Sequence, residues 1–168
     1  MRHRGSVIGE QVVIGGLSAG GTMALELALR RPAAALLLYA AALSLRYRVT
    51  ALAPYLWRVV RRWPRATAAA GAPGRYERVP VRAVGELVIG MRRVRERLGT
   101  ITAPALVAHS KGDPLVPVSS AERLARKLGG PVELLLLDGA RHAITAETDR
   151  EILGEASIAH LRRHVPIP

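Results

Sequence analysis

The 168-residue chain contains no cysteine, so neither a disulfide framework nor thiol chemistry is available to it. No apolar stretch is long enough for a membrane span, and Met1-Arg2-His3-Arg4 is not followed by the core of a signal peptide. The longest apolar run, 32–45, is alanine-rich and reads as holding a strand rather than a span. A cytoplasmic location is the expectation. No histidine-carboxylate spacing stands out as a metal site, and no phosphate-binding glycine loop, internal repeat or low-complexity tract is present. No cofactor is expected. Only three aspartates occur, Asp113, Asp138 and Asp149, which keeps the choice of any catalytic aspartate short.

Lysine is also scarce: 23 of the 25 basic residues are arginine, and the net charge is +12. Between Ser44 and Thr100 there are 13 arginines against Glu77, Glu86 and Glu96. Five of the six aromatic residues, Tyr47, Tyr55, Trp57, Trp63 and Tyr76, fall in the same stretch. Arginine interleaved with aromatics has the look of nucleic-acid binding. A solvated arginine-rich surface is the preferred reading, and no nucleic-acid partner is expected. Gly71-Ala72-Pro73-Gly74 reads as a loop or joint.

Apolar runs alternate with helix-like segments. Strands are expected near 11–16, 35–41, 104–109 and 132–137, with helices near 19–31, 50–63, 81–98, 118–129 and 147–164. That alternation predicts an α/β fold with a parallel sheet flanked by helices. A length of 168 residues suits one domain.

The most informative segment is Gly16-Leu17-Ser18-Ala19-Gly20-Gly21, directly after the apolar run from Val12. It has the G-x-S-x-G layout of a nucleophile elbow, a tight strand-to-helix turn that exposes a serine hydroxyl at the sheet edge. Glycine at 16 and 20 is expected to relieve crowding between strand and helix. The helix N-terminus then faces the serine, and the Ala19 amide becomes the candidate oxyanion donor. An ordinary glycine-rich turn would read the same way, so the partners decide. The elbow requires serine, then acid, then histidine along the chain. Asp113 follows a short strand and Ser110-Lys111-Gly112, although Asp-Pro also simply initiates turns. Asp138 is the runner-up, four residues before the histidine on one segment. His142 lies on the loop after the strand at 132–137. His109, at a strand end, is its competitor. His3 sits in a terminus expected to fray, and His160 and His164 read as a solvated helix face.

These three stretches resemble the α/β-hydrolases, in particular bacterial carboxylesterases and monoacylglycerol-lipase-like enzymes. The resemblance rests on 16–21, on Gly112-Asp113-Pro114-Leu115-Val116-Pro117 with Ala121, and on His142-Ala143-Ile144-Thr145 with the acidic residues after it. It implies Ser18 as nucleophile, Asp113 as acid and His142 as base in carboxylic ester hydrolysis, on a small-molecule ester or acylglycerol. It also implies a core of 1–43 and 101–168 with a cap insertion at 44–100, whose basic face suits membrane-surface contact. Arg141 stands where the family has glycine and puts a charge at the rim. The family places several strands and a His-Gly loop before its elbow; here the elbow comes at residue 18. The expectation is therefore the C-terminal part of such a fold, with an open strand edge prone to self-association and weak turnover. A silent remnant acting as a basic interaction module, and an acyltransferase with the same three residues, are alternatives.

Overall fold

The computed structural model describes residues 11–64, 78–146 and 149–165. His3, the Gly71–Gly74 joint, Tyr76 and the expected helix start at Glu147 lie outside them. In chain order, β1 (Val13–Leu17) leads into α1 (Ala19–Ala28) and β2 (Ala35–Tyr39). A 3-10 turn (Arg48–Leu52), α2 (Ala53–Leu56), β3 (Arg62–Pro64), β4 (Arg78–Pro80) and α3 (Val81–Arg97) follow. The chain then runs through β5 (Ala105–Ser110), α4 (Ser119–Lys127), β6 (Val132–Leu137) and α5 (Arg150–His164).

β1, β2, β5 and β6 pair in that order, all parallel. Their carboxyl ends therefore share one edge. β5 has a neighbour on each side, and all six of its residues are buried. That burial explains its unbroken run Ala105-Leu106-Val107-Ala108. β1 borders the sheet and pairs with β2 alone among the described residues.

Side-chain alternation sorts the core into two layers. Ile14, Leu36, Leu38, Ala105 and Val107 meet Leu25 of α1, Val94 of α3 and Leu124 of α4. Leu17, Tyr39, Ala108, Leu135 and Leu137 meet Ile144 and Leu153 of α5. α3 buries Val81, Gly85, Val88, Met91 and Val94, a single helix face at three- and four-residue spacing. Each fully buried leucine contributes about 1.5–3 kcal/mol by leaving water.

One expected helix is absent. The stretch 50–63 is not one helix: it breaks after α2, and β3 pairs antiparallel with β4. Pro54 has no amide to donate back to Thr50, so it sits in the first turn of the short α2 rather than inside one long helix. α5 starts at Arg150, with Asp149 at its N-cap position.

Candidate functional site

Ser18 follows β1 directly, with φ 57° and ψ −118°. This backbone region costs a non-glycine residue energy unless its surroundings impose it. Four hydrogen bonds do so. The Ser18 amide donates to the Tyr39 carbonyl at 2.8 Å, and the Ser18 carbonyl accepts the amides of Gly21 (3.0 Å), Thr22 (3.3 Å) and Ala42 (3.2 Å). The Thr22 hydroxyl donates to the Ala42 carbonyl at 2.6 Å, tying α1 to the chain leaving β2.

Glycine matters here at 16 and 21. A Cβ on Gly16 would strike the backbone of Gly20 and come within 2.7 Å of the Gly21 nitrogen. A Cβ on Gly21 would lie 2.5 Å from the Ala41 Cβ. Gly20 departs from expectation: a Cβ there meets nothing within 4 Å. Its backbone, rather than its missing side chain, is what forces glycine at 16.

His142 reaches the elbow from the loop after β6. Its Nε2 lies 2.9 Å from Ser18 Oγ, and its Nδ1 lies 2.7 Å from Asp113 Oδ2. Asp113 comes from the loop after β5 and is 1% exposed. Its other oxygen accepts the amides of Leu115 (2.7 Å) and Val116 (3.0 Å). Burial pushes its pKa up, but the hydrogen bonds from His142, Val116 and Leu115 outweigh this and hold it below the ordinary carboxylate value. Asp113 is thus ionised and accepts only. Nδ1 of His142 carries the proton, which leaves Nε2 free to accept from the serine hydroxyl. Ala19 opens α1, so its amide has no acceptor within the helix.

The structure brings Ser18, His142 and Asp113 together and leaves Asp138 out. Asp138 is exposed and pairs with Lys111 at 3.0 Å. His109 is buried beside Asp113 and does not approach the serine through any hydrogen bond among the described residues. His160 corrects the solvated-face expectation. It is fully buried, with Nδ1 donating to Glu133 at 2.8 Å, because α5 packs that face toward the sheet. Glu133, His160 and His164 bring ligand-type atoms within 4.8 Å of one another. Arg163 already occupies Glu133 through a bidentate pair, and a metal on Nδ1 of His160 would leave a proton on Nε2, which is buried without a partner.

Supporting residues escaped the sequence reading. Arg46 donates through Nε to the Asp113 carbonyl at 2.8 Å, and its amide donates to the Leu115 carbonyl at 2.9 Å. Ser110 donates to the Ala140 carbonyl and accepts the Gly112 amide, joining the two loops. Asp149 accepts the amides of Gly139 and Ala140, each at 2.9 Å. Its place just before a helix reads as an ordinary cap, and only the fold shows the carboxylate turned to the histidine loop. A groove of about 700 Å³ begins at Ala19 and follows α1 past Met23 and Leu27. No helix among the described residues is long and apolar enough to cross a membrane.

Comparison with known proteins bears on the fold. The family model for serine aminopeptidase, S33, matches residues 58–149, just over half of the chain. The uncharacterised protein YqkD of Bacillus subtilis (strain 168) is 42% identical over 50 residues, which is 30% of this chain and 16% of that protein. A solved structure described with LipS and LipT, two metagenome-derived lipolytic enzymes, superposes with a TM-score of 0.83 at 26% identity, over 92% of this chain and 66% of that one. The monoacylglycerol lipase of Paleococcus ferrophilus gives 0.75 at 20% identity, over 90% of this chain and 70% of that one. The chain thus spans about two thirds of the length of these structures and a far smaller share of YqkD. The fold is a partial α/β-hydrolase fold: a parallel sheet flanked by helices.

Proposed function

Because the chain belongs to the serine aminopeptidase S33 family of α/β-hydrolases, we propose that it is a serine hydrolase of carboxylic esters, with small-molecule esters or acylglycerols as substrates. The observation that carries this reading is the continuous hydrogen-bonded line from Ser18 Oγ through His142 to Asp113.

His142 Nε2 takes the Ser18 proton as Oγ attacks the ester carbonyl carbon. Charge moves onto the carbonyl oxygen, where the Ala19 amide and the N-terminal end of α1 meet it. Asp113 holds the ring and supports the imidazolium. When the tetrahedral species collapses, the C–O bond to the alcohol breaks and His142 gives that oxygen its proton. An acyl group remains on Ser18. Water then attacks it, passing a proton to His142, and the carboxylic acid leaves as Ser18 regains its hydrogen. Within 44–100, the described residues 44–64 and 78–100 are read as part of a cap, and their arginines suit anionic ester substrates or contact with an anionic membrane surface.

The test is pre-steady-state hydrolysis of p-nitrophenyl esters. A burst of p-nitrophenol close to one equivalent per active site, absent in Ser18→Ala and slowed by several orders of magnitude in His142→Ala, is expected. Turnover that persists unchanged in Ser18→Ala would overturn the reading.

A further inference from the structure

His109 is a buried imidazole at the site end of the sheet that the proposed reaction does not use. It stands next to last in β5 and is 0% exposed. Its Nε2 lies 3.1 Å from the Val116 carbonyl oxygen. A carbonyl only accepts, so Nε2 carries the proton. Nδ1 is buried and has no partner among the described residues. A second proton there would have no acceptor.

Val116 is thus gripped at both ends of its backbone. Its amide donates to Asp113 Oδ1 at 3.0 Å, and its carbonyl accepts from His109. Its side chain is fully buried against Ala42, Val88 and Met91, so the grip acts on a part of the loop that is already anchored. The same Nε2 lies 3.8 Å from Asp113 Oδ2, the oxygen that meets His142.

We propose that His109 is a positioning residue: by holding the Val116 carbonyl it closes the loop around Asp113 so that Oδ2 stays aimed at His142. The proposal rests on the Ser18–His142–Asp113 reading. The charged or titratable groups around His109 are Asp113 from the loop that follows β5, His142 from the loop after β6 and Arg46 from the loop after β2. Burial holds the His109 pKa below its ordinary value, and the charges of His142 and Arg46 act in the same direction. The Val116 carbonyl and Asp113 oppose this and do not outweigh it. A neutral His109 does not draw the carboxylate away from His142.

Two substitutions separate positioning from packing. His109→Phe fills the space and leaves the Val116 carbonyl without its donor. His109→Gln places an amide N–H near the position of Nε2. The His142 titration is read by NMR, and the labelling of Ser18 by a fluorophosphonate is read across pH, with thermal melting as the fold control. In His109→Phe the carboxylate is less well aimed at His142, so the pH profile of Ser18 labelling departs from the parent's. Labelling near neutrality falls roughly tenfold to a hundredfold, as expected when a catalytic group is misplaced by about 1 Å. His109→Gln restores both toward the parent. If the Phe chain does not fold, His109→Asn, too short to reach Val116, gives the same contrast with Gln. An unchanged His142 titration in all variants, with only the melting temperature lowered, overturns the proposal. A parent protein that is not labelled at Ser18 instead overturns the hydrolase reading, while the titration still decides whether His109 sets the Asp113–His142 contact.

Discussion

Asp113→Asn is the perturbation that the geometry specifies most sharply. Asparagine matches aspartate in size, and its oxygen can keep the amides of Leu115 and Val116. Its NH2 then faces Nδ1 of His142 across the gap that measures 2.7 Å with the carboxylate. Two N–H groups cannot share that gap, so the imidazole moves its proton to Nε2. The Nε2–H then points at Ser18 Oγ, 2.9 Å away, and cannot take the serine proton. A wrong tautomer in a Ser-His-Asp site lowers kcat by about 10⁴, which is about 5 kcal/mol of transition-state stabilisation. Fold stability changes far less, because the two loop amides keep their acceptor and a buried charge is removed. The assay is kcat for a p-nitrophenyl ester beside a thermal melt, with Asp138→Asn as control. Asp138 pairs with Lys111 at an exposed site, so its loss is expected to be close to neutral. If Asp113→Asn keeps kcat within about tenfold of the parent, the tautomer argument fails. If Asp138→Asn loses as much, the acid has been assigned to the wrong residue.

Further outcomes follow from the elbow and from buried titrating groups. Gly21→Ala drives a methyl to 2.5 Å from the Ala41 Cβ and should destabilise by about 1–3 kcal/mol. Gly20→Ala meets open space and should be neutral or stabilise by about 0.4–1 kcal/mol; denaturant melts read the contrast. His109, with its folded pKa below the ordinary 6.5, makes the unfolded chain the better proton binder, so stability falls as pH drops through that value. His109→Gln should flatten this part of a melting-temperature profile. Asp113 and Glu133 act in a lower window. Burial raises both, but their hydrogen bonds hold them below the ordinary 3.8 and 4.5, so the stability they add at neutral pH is lost as pH falls through their folded pKa values. Glu133→Gln should remove part of that loss in the acid range.

The sequence carried the sheet well, because its strands are short apolar runs bounded by glycine, proline or polar breaks. β6 (Val132–Leu137) matches the expected 132–137, and β2 (Ala35–Tyr39) lies within the expected 35–41 but ends two residues earlier. The elbow was legible because one turn needs both small residues and a serine at fixed spacing. Asp113 and His142 were legible because each follows a strand in a parallel sheet, where all strand ends meet. What the sequence hid depends on packing. Nothing local shows that Gly21, rather than Gly20, faces Ala41. The break after α2 was hidden by a helix-compatible composition, although Pro54 already marked a helix start rather than a helix interior. His160 looked solvated because α5 has no clean apolar stripe to show which face turns inward. The residues that hold the acid and histidine loops, Arg46, His109, Ser110 and Asp149, act through main-chain atoms of loop residues. Their partners have no sequence signature.

The central claim is that Ser18 is the nucleophile, activated by His142. Mass spectrometry of the protein after reaction with a fluorophosphonate tests it most directly. One adduct per chain is expected, mapped to the peptide that contains Ser18, lost in Ser18→Ala and strongly slowed in His142→Ala. An adduct on another residue, or labelling that survives unchanged in Ser18→Ala, would contradict it.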